Sequence, residues 1–199
     1  MRIPIDDRRA ALVAAALRVI ARDGVQAAST RAVTAEAGMS LASFHYAFAS
    51  RDELLRRVID TVIADERAAT ERILATGGTL HELLRGGLAA YLTLLRANPH
   101  HEQAMLELTF YALRTPSLRG LAAKQYGSYE SLAAGLLGAA ARHTGTRWTL
   151  PLGDVARLAI ALTDGMTTTW LADRNDAGAD RLADVAADLL ASLAADDEP

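Results

Sequence analysis

The sequence predicts an all-α protein, and three observations carry that expectation. Apolar residues recur at three- and four-residue spacing over long stretches, as they do on a helix with one buried face. These stretches open at serine or threonine residues suited to helix N-caps and close at glycine or proline. No segment alternates apolar and polar residues between turn signals, and no repeat or low-complexity linker divides the chain. With 199 residues and 51% apolar content, there is enough chain for a small domain followed by a larger one.

Composition removes several function classes. There is no cysteine, which excludes disulfides and any thiolate zinc or catalytic site and suits a reducing cytoplasm. The opening MRIPIDDRR is charged, and no later segment reaches the apolar length that spans a bilayer, so a soluble cytoplasmic protein with no membrane partner is expected. His100, His101, Glu102 and Glu107 invite a metal reading. Adjacent histidines point to different faces of a helix, however, and no H-E-x-x-H occurs. Nor is there a G-x-S-x-G, a Walker loop or a G-x-G-x-x-G. The expectation is no enzyme, no metal and no cofactor.

Net charge is −3, but its distribution is uneven. Residues 1–60 hold nine arginines against seven acids, and the remainder holds twelve basic against seventeen acidic residues. Positive potential is mildly displaced toward the N-terminal part.

The most telling stretch is 29–55. Ser29 or Thr30 is placed to cap a short helix from Arg31 to Ala37 with Val33 as its inward anchor, and Gly38 ends it because a residue past a helix end often needs positive φ. Ser40 opens a second helix in which Leu41, Phe44 and Phe48 form a core-facing stripe. Ala42, Ser43, His45 and Tyr46 then face outward, small or hydrogen-bonding groups able to approach phosphates and base edges. A compact helix-turn-helix of this kind reads the DNA major groove; the residues alone equally allow an ordinary helical hairpin.

Beyond it, Ser50 and Glu53 form a capping box, and Leu54, Leu55, Val58, Ile59, Val62 and Ile63 carry a long helix until Gly77 and Gly78. A second box, Thr79 with Glu82, starts a helix holding Leu83, Leu84, Leu88, Tyr91, Leu92 and Leu95, stopped by Asn98 and Pro99. Another helix runs from about His100 to Arg114, and Ser117 to about Arg142 is again helical, with Leu118, Leu121, Tyr129, Leu132, Leu136 and Leu137. A polar and aromatic loop, HTGTRWTLP, follows. The last two helices carry Val155, Leu158, Ala159, Leu162, Met166 and Trp170 on one face, and Leu182, Val185, Ala186, Leu189, Leu190 and Leu193 on the other. They either bury within one chain or pair with a second copy as a homodimer.

From about Arg8 to Ile59 the chain resembles the N-terminal domain of the TetR family of bacterial transcriptional regulators. Ala14, Ala15, Leu17 and Gly24 match the family's opening helix. Ser29, Arg31, Val33, Ala37 and Gly38 match its second helix and turn. Ser40, Phe44, His45, Tyr46, Phe48, Ser50, Arg51, Asp52, Leu54 and Leu55 match its recognition helix and exit. His45 stands where the family most often has tyrosine, while Leu41, Thr34 and Ala47 also depart from the common pattern, which leaves the operator sequence open.

The resemblance implies an N-terminal three-helix DNA-binding domain with a helix-turn-helix, residues 1–52, followed by a larger helical ligand-binding and dimerisation domain, residues 53–199. It further implies a repressor that Ser29, Thr30, Arg31, Ser40, Leu41, Ala42, Ser43, His45, Tyr46 and Arg51 hold on double-stranded operator DNA. The last two helices would form a four-helix dimer bundle. Tyr91, Gln103, Met105, Tyr111, Tyr129 and Trp170 are the expected lining for a small hydrophobic or aromatic effector. The alternative is a helical interaction module that has lost operator binding.

Overall fold

The computed structural model describes residues 4–74 and 77–196, and of residues 65–74, 117 and 119 the backbone alone. In chain order come α1 (Ile5–Asp23), a 3-10 turn (Val25–Ala27), α2 (Thr30–Glu36), α3 (Leu41–Ala47), α4 (Arg51–Leu74), α5 (Leu80–Ala97) and α6 (Pro99–Arg114). A second 3-10 turn (Pro116–Leu118), α7 (Arg119–Thr144), β1 (Thr146–Trp148), α8 (Leu152–Asp173), α9 (Asp176–Ala191) and β2 (Ala194–Asp196) complete the described chain.

The chain packs as two compact units: one runs to Ala64 and takes in His100–Gln125, the other holds Asp65–Pro99 and Tyr126 onward. In the first, α1 buries Leu12, Val13, Ala16, Leu17 and Ile20 on one face, while Asp6 and Asp7 complement the free amides of its first turn. Helices α1, α2 and α3 pack on one another, with Val33 and Phe44 fully buried among them. Leu54, Leu55, Val58 and Ile59 of α4, and Met105 and Leu108 of α6, extend the unit's apolar interior.

In the second unit, α9 packs against α5 and α8. The core combines Leu84, Leu88, Leu92 and Leu95 of α5, Leu137 of α7, Val155, Met166 and Trp170 of α8, and Ala183, Ala186, Ala187 and Leu190 of α9. Ion pairs join Arg96 to Asp176 and Asp180, Arg85 to Asp184 and His81 to Asp188 along the α5–α9 seam. Helix α5 starts at a complete capping box: the Thr79 hydroxyl accepts from the Glu82 amide while the Glu82 carboxylate accepts from the Thr79 amide at 2.8 Å. That last bond holds the Glu82 carboxyl below its usual range.

Four sequence expectations are corrected. The loop after α7 is not wholly irregular: Thr146, Arg147 and Trp148 pair antiparallel with Asp196, Ala195 and Ala194. A three-residue strand whose partner lies about fifty positions away leaves no local pattern to read. The box at Ser50 is half formed, because the Glu53 amide donates to Ser50 Oγ at 3.1 Å but the Glu53 carboxylate accepts from Ala49. Leu41 leaves the apolar stripe of α3 and is exposed, while Phe44 and Ala47 are buried. The expected single face of α9 is two faces: alanines and Leu190 turn inward, whereas Leu182, Val185 and Leu189 are exposed. None of the described helices is long and apolar enough to cross a membrane.

Candidate functional site

The turn between α2 and α3 is built by backbone geometry. Ser29 Oγ accepts from the Ala32 amide and caps α2. At its other end Gly38 adopts φ +64°, the Met39 amide donates to Thr34 O at 2.8 Å and the Gly38 amide donates to Ala35 O at 3.1 Å. This reciprocal closure satisfies two carbonyls the helix end would otherwise leave open. Ser40 Oγ then accepts from the Ser43 amide at 3.2 Å and fixes the start of α3. Buried Thr34 satisfies its hydroxyl on Thr30 O and Arg31 O, which explains how a polar residue fits there.

On this frame Leu41, Ala42, His45 and Tyr46 are exposed and Ser43 half-buried on α3, while Arg31 and Ser29 are exposed and Thr30 half-buried beside α2. Arg31 makes no ion pair among the described residues. Two arginines that sequence reasoning did not single out brace α3 from α1. Arg9 Nε donates to Ala47 O at 3.0 Å, where the last carbonyls of a helix welcome a cation, and the Arg8 guanidinium lies 5.1 Å over the Tyr46 ring. On the opposite side, Arg18 and Arg22 converge on Glu36, whose carboxyl they hold below its usual range, Arg18 most strongly. Both arginines are exposed, so the triad orients α2 on α1 more than it stabilises either.

Arg51, expected at the DNA backbone, is turned inward instead. Its Nε donates to Ala28 O at 2.8 Å, one terminal nitrogen donates to Val25 O, and the other donates to the Tyr111 hydroxyl at 3.3 Å, with the ring 5.4 Å below. From α6, Glu107 accepts the Val25 amide at 3.0 Å. The 3-10 turn between α1 and α2 is thus clasped at both backbone groups of Val25. Gly24 makes room for the clasp: its φ is +85°, and a Cβ there would lie 3.2 Å from the Glu107 carboxylate.

The expected effector residues divide between the two units. Tyr111, Gln103 and Met105 lie in the first. Tyr111 lines an open groove of about 610 Å³ with Gly24, Gln26, Phe110 and Arg114. Met105 is 2% exposed and packs in the apolar interior. Trp170, in the second unit, is likewise a core residue: it joins the apolar cluster, donates its Nε1 to Asp176 at 2.8 Å and lies under Arg174 at 4.4 Å. An apolar residue on a helical stripe reads the same in sequence whether it faces a cavity or a packed neighbour.

Tyr91 and Tyr129 sit in the second unit in a more polar setting. The Tyr91 hydroxyl pairs with Thr167 Oγ1, and Tyr129 meets Tyr126 edge-on at 5.9 Å. Tyr126 in turn donates to Asp164 Oδ2 at 2.9 Å. Burial pushes the Asp164 carboxyl above its usual range against the opposing effect of that hydrogen bond, and pushes the Tyr126 phenol up to about 12. Asp164 and Tyr126 carry no sequence signal, because their partnership spans 38 positions.

Comparison with known proteins matches two successive stretches of the chain. Residues 12–58 match the family described as bacterial regulatory proteins, tetR family, and residues 80–195 match the C-terminal part of BetI-type transcriptional repressors. The chain belongs to the TetR family. Among curated TetR-type relatives it is 31% identical over 176 residues to the HTH-type nicotine-responsive transcriptional repressor HdnoR of Paenarthrobacter nicotinovorans, covering 88% of this chain and 90% of that one. A transcriptional regulator from Rhodococcus sp. Rha1 shares the fold, with a TM-score of 0.77 at 21% identity over 96% of this chain and 98% of the other. The multidrug binding protein EbrR, solved with imidazole, matches at 27% identity and a TM-score of 0.63, covering 92% of this chain and 89% of its own.

Proposed function

We propose that the protein is a transcriptional repressor that binds operator DNA as a homodimer and is released by a small hydrophobic or aromatic effector. The observation that carries the reading is the α3 face: a helix held at both ends and braced by Arg8 and Arg9, with Leu41, Ala42, His45 and Tyr46 turned outward. In this reading residues 1–52 form the reading head. Ser40, Ser43, His45 and Tyr46 hydrogen-bond to phosphates or base edges, Leu41 and Ala42 meet apolar base groups, and Ser29, Thr30 and Arg31 hold the backbone. Arg51 supports the head from within.

Dimerisation through α8 and α9 is supported by the exposed stripe of Leu182, Val185 and Leu189, which a second copy would cover isologously. Two heads on a two-fold axis suit a palindromic operator. Residues 53–199 then hold the effector. Tyr91 and Tyr129 remain the lining residues best supported by their polar surroundings in α5, α7 and α8. A small aromatic effector is also supported by the relatives' own descriptions, nicotine-responsive for one and imidazole-bound for another. The effector releases DNA only if it binds the non-binding form better, since equal affinity for both forms shifts nothing.

Mobility shift with the DNA flanking the protein's own gene tests the reading. Salt-sensitive retardation is expected. Tyr46→Ala should weaken it about tenfold with the protein fold intact, and Arg31→Ala should weaken it on all sequences and lower the salt slope by about 1. Absence of any salt-sensitive shift would leave the alternative, a helical interaction module without operator binding.

A further inference from the structure

In the second unit, three helices bring one acid and three aromatic rings together. Asp164 and Thr167 lie one turn apart on α8. Tyr126 meets Asp164 from α7 with Tyr129 edge-on to it, and Tyr91 meets Thr167 from α5. Asp164, Tyr91, Tyr126 and Tyr129 are each half-buried, so none is sealed from a small molecule. What distinguishes this carboxylate is that it is half-buried without a counter-charge; Glu82, Asp154, Asp173 and Asp196 also enter no ion pair among the described residues, but they are exposed. Asp176, Asp180, Asp184, Asp188 and Glu130 of the same unit each meet an arginine or histidine, but no ion pair among the described residues includes Asp164. Its Oδ2 accepts from neutral Tyr126, and its Oδ1 accepts no hydrogen bond among the described residues.

A carboxylate taken partly out of water without a cation is unfavourable, and an asparagine would keep the Tyr126 hydrogen bond without that cost. The phenol rings of this cluster, Tyr126 in contact with the carboxylate, present electron-rich faces, which attract cations most where water is thin. We propose that Asp164, with the rings of Tyr91, Tyr126 and Tyr129, forms the binding site for an organic cation, so that the effector is an amine carrying positive charge next to an apolar or aromatic body. The inference rests on the effector-responsive reading above and names its ligand class. Burial holds the Asp164 carboxyl above its usual range, and a cation beside it supplies the compensation that burial withholds.

The test uses the full chain and two probes of the same shape, benzyltrimethylammonium and its neutral carbon counterpart neopentylbenzene, with binding followed by titration calorimetry. The wild-type protein should bind the cation at least about tenfold more tightly than the neutral probe. Asp164→Asn should bring the two affinities together, and Asp164→Glu should restore part of the preference. The proposal is overturned if the wild type binds the neutral probe as tightly, if it binds neither at millimolar concentration, or if folded Asp164→Asn keeps its preference for the cation. Because the first comparison is made on the wild type, it stands even if a variant fails to fold. Failure of the parent reading is read separately, as loss of salt-sensitive operator retardation by the same preparation without any probe.

Discussion

Arg51 offers the sharpest test of what holds the N-terminal unit together. Arg51→Ala removes a charged donor from Val25 O and Ala28 O, both carbonyls of buried residues, and from the Tyr111 hydroxyl. A hydrogen bond from a charged group contributes about 1.5–3 kcal/mol, and a buried carbonyl left without a donor costs about 1–3 kcal/mol. Because Arg51 is only half-buried, water can replace part of this, and a loss of about 3 kcal/mol is expected. For a chain of this size that is a fall in Tm of roughly 6–12 °C by calorimetry or circular dichroism. Arg51→Met, which keeps the apolar stem, should lose nearly as much, whereas Arg56→Ala on the exposed side of the same helix should stay within about 0.5 kcal/mol. If Arg51→Ala melts within about 2 °C of the wild type yet binds operator with a salt slope shallower by about 1, the guanidinium works at a phosphate and the internal role is wrong.

Other consequences can be measured with equal directness. Gly38→Ala places a side chain at φ +64° with no atom within 4 Å of the new Cβ, so its cost of about 1–2 kcal/mol is purely conformational; an unchanged urea midpoint would contradict the left-handed turn. Val185→Asp combined with Leu189→Asp should yield a monomer by light scattering, and a persisting dimer would move the interface off the exposed face of α9. Asp164 gives a pH signature of definite sign. Its folded-state pKa is raised by burial, so its contribution to stability is complete below the unfolded value of about 4 and is lost as pH rises through the folded value. Asp164→Asn should therefore gain in Tm relative to the wild type between pH 4 and 7, and the opposite slope would show that the carboxylate is already compensated.

What was legible in the sequence was whatever is decided within one helical turn. Ser29, Ser40 and Thr79 cap because the amides that donate to their hydroxyls lie three residues ahead, and Gly38 turns because of its own φ. Phe44 and Val33 were readable as core for the same reason, since spacing alone assigns them a face. The illegible parts depend on residues far apart in the chain. Arg51 finds Val25, Tyr126 finds Asp164, and Thr146 finds Asp196 only once the helices are packed. The two faces of α9 show a different limit. Alanine on the inner face and leucine on the outer reverse the usual assignment by size, because close approach to α5 and α8 selects the smaller residue. Periodicity merged the two faces of α9 into one stripe, because it registers that residues are apolar and not which of them a neighbouring helix approaches.

The clasp on Val25 bears on how freely the reading head can be transplanted. Its amide is held by Glu107, 82 positions later, and its carbonyl by Arg51, 26 positions later. During synthesis the turn between α1 and α2 must wait for α6 to emerge before its last hydrogen bond can close, so the head matures late although it is made first. An excised segment ending at residue 64 would carry the recognition helix but leave the Val25 amide without its carboxylate. A chimera meant to move this DNA specificity onto another body needs residues 100–125 as well, or a substitute acceptor aimed at that amide.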